Sequence, residues 1–409
     1  MKRQLSHTVL KTMLTVVISC ACSSVVLAQI PGLEPEKNWD LTGYVKYMAT
    51  GSFPDSKSEN TTDVKDQGNS LDNLIHQRFN FEYRFNRHLR VNVGMRNRLF
   101  FGDSAEIAGY GDLVGFDPGY MDLSKNWVDK NGVVGNSQLD RLYLDWQEND
   151  WQVRAGRFRI NWAMATLWNP NDIFNSYSIY DFDYEERSGS DAILVSRKLG
   201  FASAFDLVYN PSKNSGLDSY AGRYLFNHQG WDMQLLVGKS GLDHVIGAGF
   251  AGDIQGAGLR GEISWFEPKQ SEWMGDPLES STVATIEADY SFGGQRNWMT
   301  RASLLFISNP QDPNNALLFL NLPLTARTLS FAEYTWYADI GFDITALSRL
   351  TLSSTYYNDG SYFLGASNSY SLSDDWQVLT VLQRFDGSND SLFGETSNTL
   401  VNLQFKWSF

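Results

Sequence analysis

The chain ends in Leu400-Val401-Asn402-Leu403-Gln404-Phe405-Lys406-Trp407-Ser408-Phe409, a run that alternates apolar and polar residues almost without fault. Successive side chains of a strand point to opposite faces. Val401, Leu403, Phe405, Trp407 and Phe409 therefore share one face, and Asn402, Gln404, Lys406 and Ser408 the other. A soluble sandwich would press the greasy face against a second sheet. Here the same pattern recurs along the whole chain behind an export signal, which points to a single barrel that buries its greasy face in lipid.

The export signal occupies residues 1–28. Lys2, Arg3 and Lys11 form a basic region, Thr12 to Leu27 an apolar core, and Val26-Leu27-Ala28 supplies small residues for cleavage before Gln29. The apolar stretch is short for a spanning anchor. Val17-Ile18-Ser19-Cys20 loosely fits a lipid-attachment box, but cutting there would leave a very short core. Cleavage at Ala28 removes Cys20 and Cys22, the only cysteines, and takes the net charge from −14 to −17. A cysteine-free chain avoids mispairing in an oxidising periplasm and excludes cysteine-based zinc or nucleophile chemistry. Strong acidity argues against nucleic acid as a partner. No segment after residue 28 nears the roughly eighteen uninterrupted apolar residues of a membrane helix, so residues 29–409 are expected to form one transmembrane domain made of strands.

Eighteen candidate strands are legible, among them Trp39–Thr50, Gln77–Phe85, Leu89–Phe101, Gln138–Glu148, Trp151–Asn161, Ser281–Phe292, Ala332–Thr345 and Leu400–Phe409. The expected fold is an all-β antiparallel barrel of 16–18 strands; an even count is what single-chain bacterial barrels need. Tight turns such as Asn149-Asp150, Gln229-Gly230 and Gln255-Gly256 follow the even strands. Very long connections, Gly51–His76, Gly102–Ser137 and Trp162–Ser190, follow odd ones. Short periplasmic turns alternating with long outer loops fit a barrel with both termini on the periplasmic side.

Once the outward face is fixed, parity gives the lumen. Strands two to five direct Arg78, Arg84, Arg96, Arg98, Arg141, Arg154, Arg157 and Arg159 inward, with a phase slip at Gly156 that suggests a bulge. Arginine at membrane depth requires water or a carboxylate beside it, so this wall is expected to be basic. Strands twelve and fourteen, roughly opposite, direct Glu287, Asp289, Asp339 and Asp343 inward. A basic wall facing an acidic one would order water and favour polar or charged solutes; pairing among neighbours that merely stiffens the wall is the plainer alternative.

Trp162–Ser190 is too aromatic for a free loop, with Trp162, Trp168, Phe174, Tyr177, Tyr180, Phe182 and Tyr184. Burial of those rings favours the barrel's inner wall or mouth. Taken together, the signal, the strand–turn–loop alternation and the terminal aromatic Phe409 resemble outer-membrane porins, across the whole mature chain and in general architecture. The resemblance implies that the third loop folds into the barrel and sets acids against an arginine ladder. Here that would bring Asp172, Asp181, Asp183, Glu185 and Glu186 to Arg96, Arg98, Arg141, Arg157 and Arg159. The stretch Gly-Arg-Phe-Arg-Ile-Asn-Trp to Asn-Pro-Asn-Asp also looks like uncharacterised porin-like barrels and exporters of sugar acids or polysaccharides.

Other chemistry is weakly signalled. Asp181-x-Asp183-x-Glu185 has a spacing calcium favours but lacks the glycine and distal glutamate of a calcium loop. His76, His88, His228 and His244 do not cluster, so no metal or other cofactor is expected, nor an enzyme. The expected function is a porin for small polar or charged solutes, narrowed by residues 162–190. An exporter of an anionic polysaccharide and a structural or adhesive barrel with a sealed lumen stay open. Expected partners are outer-membrane lipid and the barrel-assembly machinery, which would read Phe409 on the final strand; a homotrimer is one candidate oligomeric state.

Overall fold

The chain forms a closed ring of eighteen antiparallel strands in a computed structural model that describes residues 37–55, 68–181, 189–311, 313, 316–321 and 324–409. The signal segment lies outside the described residues. In chain order the ring contains β1 Trp39–Pro54, β2 Ser70–Arg84, β3 Leu89–Gly102, β4 Val133–Glu148, β5 Trp151–Phe158 and β6 Ser190–Gly200. Next come β7 Ser203–Asn210, β8 Ser219–His228, β9 Trp231–Ser240, β10 Asp243–Ile254, β11 Ala257–Pro268 and β12 Ser281–Gly293. The ring is completed by β13 Trp298–Ile307, β14 Tyr334–Thr345, β15 Ser348–Tyr357, β16 Ser361–Ser371, β17 Trp376–Gly387 and β18 Asn398–Ser408. Every strand pairs with its sequence neighbour, and β1 pairs with β18 from Tyr44↔Ser408 to Pro54↔Asn398.

All eighteen expected strands are present. Several run further at their outer ends: β2 begins at Ser70 rather than Gln77, and β4 at Val133 rather than Gln138. Hydrogen-bonded ladders continue above the lipid, where alternation is no longer enforced. The connection Gly102–Ser137 is largely ordered. It holds a 3-10 turn at Ser104–Glu106, a short helix α1 at Tyr110–Gly115, and a strand Ser124–Lys130 that pairs with the upper part of β4. Two irregularities re-aim side chains. Gly156 has φ +124°, and a Cβ there would meet the Leu142 carbonyl oxygen at 2.2 Å. The register shift between Gly94 and Met95 leaves Asp140 as an extra residue on β4.

Leu235, Val237, Ile246, Ile263, Trp265, Ile286, Trp336, Tyr356, Leu364 and Phe405 are exposed on the outer face, while their inward neighbours Leu236, Val245, Ser264, Phe266 and Glu287 are buried. That polarity is the reverse of a soluble protein's and matches a lipid-facing belt. Among the described residues no helix is long and apolar enough to cross a membrane.

The seam between β18 and β1 depends on one small residue. Gly43 and Phe409 exchange both backbone hydrogen bonds, each at 3.0 Å. A Cβ on Gly43 would lie 2.7 Å from the Phe409 ring, which also packs edge-on against Phe79. Gly43→Leu should therefore expel the terminal ring, at about 1–3 kcal/mol for overpacking. The expected result is a lower temperature for loss of the fast-migrating folded form on unheated gels; an unchanged transition would refute this account of the seam.

Candidate permeation pathway

The strand register sets two basic rows side by side on the inner face. One runs Lys406, Lys46, His76, Arg98 and Asn136 across β18, β1, β2, β3 and β4; the other runs Tyr44, Arg78, Arg96 and Gln138. The basic face thus extends to Lys406, on the polar face of the final strand, and to Lys46 beside it on β1. Their ammonium groups each lie 5.2 Å from the Tyr44 ring centroid.

The eight expected arginines are in different situations. Arg78 is buried and bidentate to Asp140, at 2.6 and 3.1 Å, so the extra residue of the β4 bulge neutralises it. Gly94 leaves room for this pair, since a Cβ there would come within 2.9–3.0 Å of Arg78 and Arg141. Arg157 is buried in the wall, bonded to Asp191 at 2.7 and 2.8 Å, to Asp117 at 2.7 Å and to the Met121 carbonyl at 2.6 Å. It clasps the Gly102–Ser137 connection to β5 and β6. Burial alone would raise the Asp117 carboxyl, but the Arg157 guanidinium and the amides of Leu123 and Gly119 outweigh it and hold it below the ordinary carboxylate value. Arg154 shares Asp145 with Arg90, each at 3.3 Å, and Arg84 bonds Asp40 and Glu82 in the open. Arg98 donates to Asn136 and the Val114 carbonyl, Arg141 to the Asp140 carbonyl, and Arg159 is half-buried beyond β5. Arg96, like Arg98 and Arg141, has a neutral described partner, the Gln138 carbonyl oxygen at 3.0 Å from Nε.

The opposite wall carries its acids already paired. Arg260 on β11 meets Glu287 at 3.3 Å and also bonds Asp289; Arg301 meets Asp339 at 2.6 Å; Arg349 meets Asp343 at 2.8 Å. Paired carboxylates set a weaker field across the lumen than four bare ones would. The three arginines and Glu262 were legible by parity on β11, β13 and β15.

The segment after β5 crosses the ring to this wall. Glu262 accepts from the backbone amides of Met164, Ala165 and Asn171 at 2.5, 2.7 and 2.9 Å. Glu287 accepts from the amides of Thr166 and Leu167 at 3.1 Å, and from Thr166 Oγ1 at 2.8 Å. Gln234 donates to the Trp162 carbonyl, and Ser264 to Asn171. Trp162 and Trp168 are buried, against Phe174 and Tyr337 respectively, as the ring count required. Asp172 is buried beside Trp162, whose amide lies 3.5 Å from it, and follows Asn171, whose amide is bonded to Glu262. Asp181 is exposed. Asp183, Glu185 and Glu186, like Phe182 and Tyr184, lie outside the described residues.

A second apolar filling sits at the mouth. Phe319 and Phe331 of the connection after β13, with its helix α2 at Ala316–Asn321, join Phe393 of helix α3, Leu392–Glu395. They pack on Tyr357, Phe363 and Phe385, inward residues of β15 to β17, and Tyr180 packs there too. The sequence signal for both fillings is strands apolar on both faces near their outer ends, as in Trp265-Phe266 and Leu304-Leu305-Phe306-Ile307.

The class of fold is the porin barrel. Solved structures with the same architecture include Pseudomonas aeruginosa OpdQ, at TM-score 0.55 and 8% identity over 91% of this chain and 99% of that one. The outer membrane protein OprD of the same organism matches at 0.55 and 7% over 91% and 94%, and Acinetobacter baumannii OccAB4 at 0.54 and 6% over 93% and 100%. No protein-family model and no curated protein matches the chain in sequence.

Replacing Glu262 with Ala leaves three loop amides without their acceptor, at about 1–3 kcal/mol for each donor that water does not rescue. The crossing segment should detach, seen as new protease cleavage near residues 162–172 while the barrel stays heat-resistant on gels. Glu262→Gln, which keeps an acceptor oxygen, should be much milder.

Proposed function

We propose that the chain is an outer-membrane channel for small polar or charged solutes, narrowed by residues 159–181 and favouring anions. The observation that supports this reading is the asymmetry of the interior. The crossing segment and the aromatic filling lie against β5 to β17, while the basic rows run across β18 and β1 to β4. Water, and any solute, is thereby directed along the basic side, where cations in a narrow low-dielectric passage attract anions strongly. Arg96 is the cation we assign to meet the solute: it sits on the inner face in the second basic row, and its partner Gln138 carries no charge. Export of a long anionic polymer fits less well, because Arg78 and Arg157 are neutralised by carboxylates rather than presented along a track. In this reading residues 1–28 are removed on export, the assembly machinery reads Phe409, and the barrel carries no enzymatic site.

Single-channel recording in planar bilayers tests the proposal. Arg96→Gln should lower anion over cation permeability a few-fold at about 0.01 M salt, where the Debye length is roughly 30 Å, and little at about 1 M, where it is roughly 3 Å. An ion preference that does not move would remove Arg96 from the pathway. Excising Leu167–Asp183 and bridging with glycines should raise conductance. Unchanged conductance would place the constriction elsewhere, and a chain that never conducts would favour a sealed, structural barrel.

A further inference from the structure

Strand β4 treats two neighbouring arginines of the inner wall in opposite ways. Arg78 and Arg96 are register partners across β2 and β3, and Arg96 is in turn opposite Gln138 on β4. Like charges placed directly opposite each other destabilise a sheet. Arg78 receives the carboxylate of Asp140, at 2.6 and 3.1 Å; it reaches there over the bare α-carbon of Gly94, with its Nε on Asn80 at 2.8 Å. Arg96 receives the carboxamide of Gln138, whose Oε1 accepts from Nε at 3.0 Å and from Nη2 at 2.5 Å. A guanidinium only donates, so the amide oxygen has to be the atom turned toward it. The first unit is neutral. The second carries one positive charge.

Stability alone would favour a carboxylate at both places. Charge-assisted bonds to a carboxylate are roughly twice as strong as those to a neutral acceptor, and much of the inner wall holds its arginines that way. Arg157, Arg223, Arg260 and Arg301 each meet a carboxylate within 3.3 Å. Glutamine and glutamate have the same length and shape, so packing does not choose between them at position 138; charge does. Gln138 is buried, whereas Arg96 is partly exposed on the inner face of β3. The uncharged group therefore lies on the wall side, and the guanidinium keeps a surface to the lumen.

Resting on the channel reading above, we infer that Gln138 sets the ion preference of the pathway, by holding Arg96 in place without cancelling its charge. Gln138 touches no solute. It is a positioning residue: two bonds fix the plane of the guanidinium, and the neutrality of the amide leaves that cation to attract small anions. Asp140, two positions along the same strand, does the reverse for Arg78 and withdraws it from the lumen.

Reversal potentials across planar bilayers under a potassium chloride gradient test this with two variants. Gln138→Glu keeps both bonds and cancels the charge. It should lower anion over cation permeability a few-fold at about 0.01 M salt and little at about 1 M, where screening cuts the reach of a charge from roughly 30 Å to roughly 3 Å. Its folded form should resist heat on unheated gels at least as well as the parent's. Gln138→Leu removes the acceptor and leaves the charge, so it should keep the anion preference and lose heat resistance. A purely structural role for Gln138 would leave the preference of Gln138→Glu where it was. If that happens while Arg96→Gln shifts it, the inference is overturned and the channel reading stands. If neither variant shifts it, Arg96 is off the pathway and the inference falls with it. Loss of the preference in Gln138→Leu would also overturn the inference, since geometry and not charge would then be the determinant.

Discussion

A sheet has two edges of unpaired amides and carbonyls, and in hydrocarbon neither can be left open. The pairing of β1 with β18 removes both, and most of the architecture answers to that closure. The even strand count keeps the closing pair antiparallel. The bare α-carbon of Gly43 lets Phe409 lie over the seam, against Trp407. The alternation along each strand follows as well, because closure leaves every residue facing either lipid or lumen.

Inside the ring a different constraint governs. Charges in a confined, partly dry space need partners, and removing one partner of a buried pair leaves an uncompensated ion. Arg78 with Asp140 and Arg301 with Asp339 are neutral units, and Arg157 is held between two carboxylates, Asp117 and Asp191. They stiffen the wall and withdraw those arginines from solutes. Apolar inward residues such as Val283, Leu305 and Ile307 then give the crossing segment a surface to bury its tryptophans against. Among the described residues the apolar clusters lie against β5 to β17, and the rows that hold Lys46, Arg98, Arg78 and Arg96 lie on β1 to β3.

How much of this was legible follows from what each constraint writes into the chain. Lipid enforces a period of two, so the strands and the inward arginines could be read off directly. The outer extension of β2 to Ser70 could not, because a strand in water needs no alternation. Asp140 was hidden because a bulge breaks parity for one residue, and that residue is the one neutralising Arg78. The aromatic content of residues 162–180 announced burial, but parity reports a face and not a distance, so it could not say which wall the segment would reach.

That destination has a chemical reason that runs against the intuition of acids seeking arginines. A segment without secondary structure of its own carries unpaired backbone amides, and inside a barrel those donors must find acceptors. A guanidinium offers only donors, so the arginine face has nothing to give them. Glu262 and Glu287 offer four oxygens, and the amides of Met164, Ala165, Thr166, Leu167 and Asn171 converge on them. Among the described residues the loop's backbone amides thus tie residues 164–171 to the carboxylate wall.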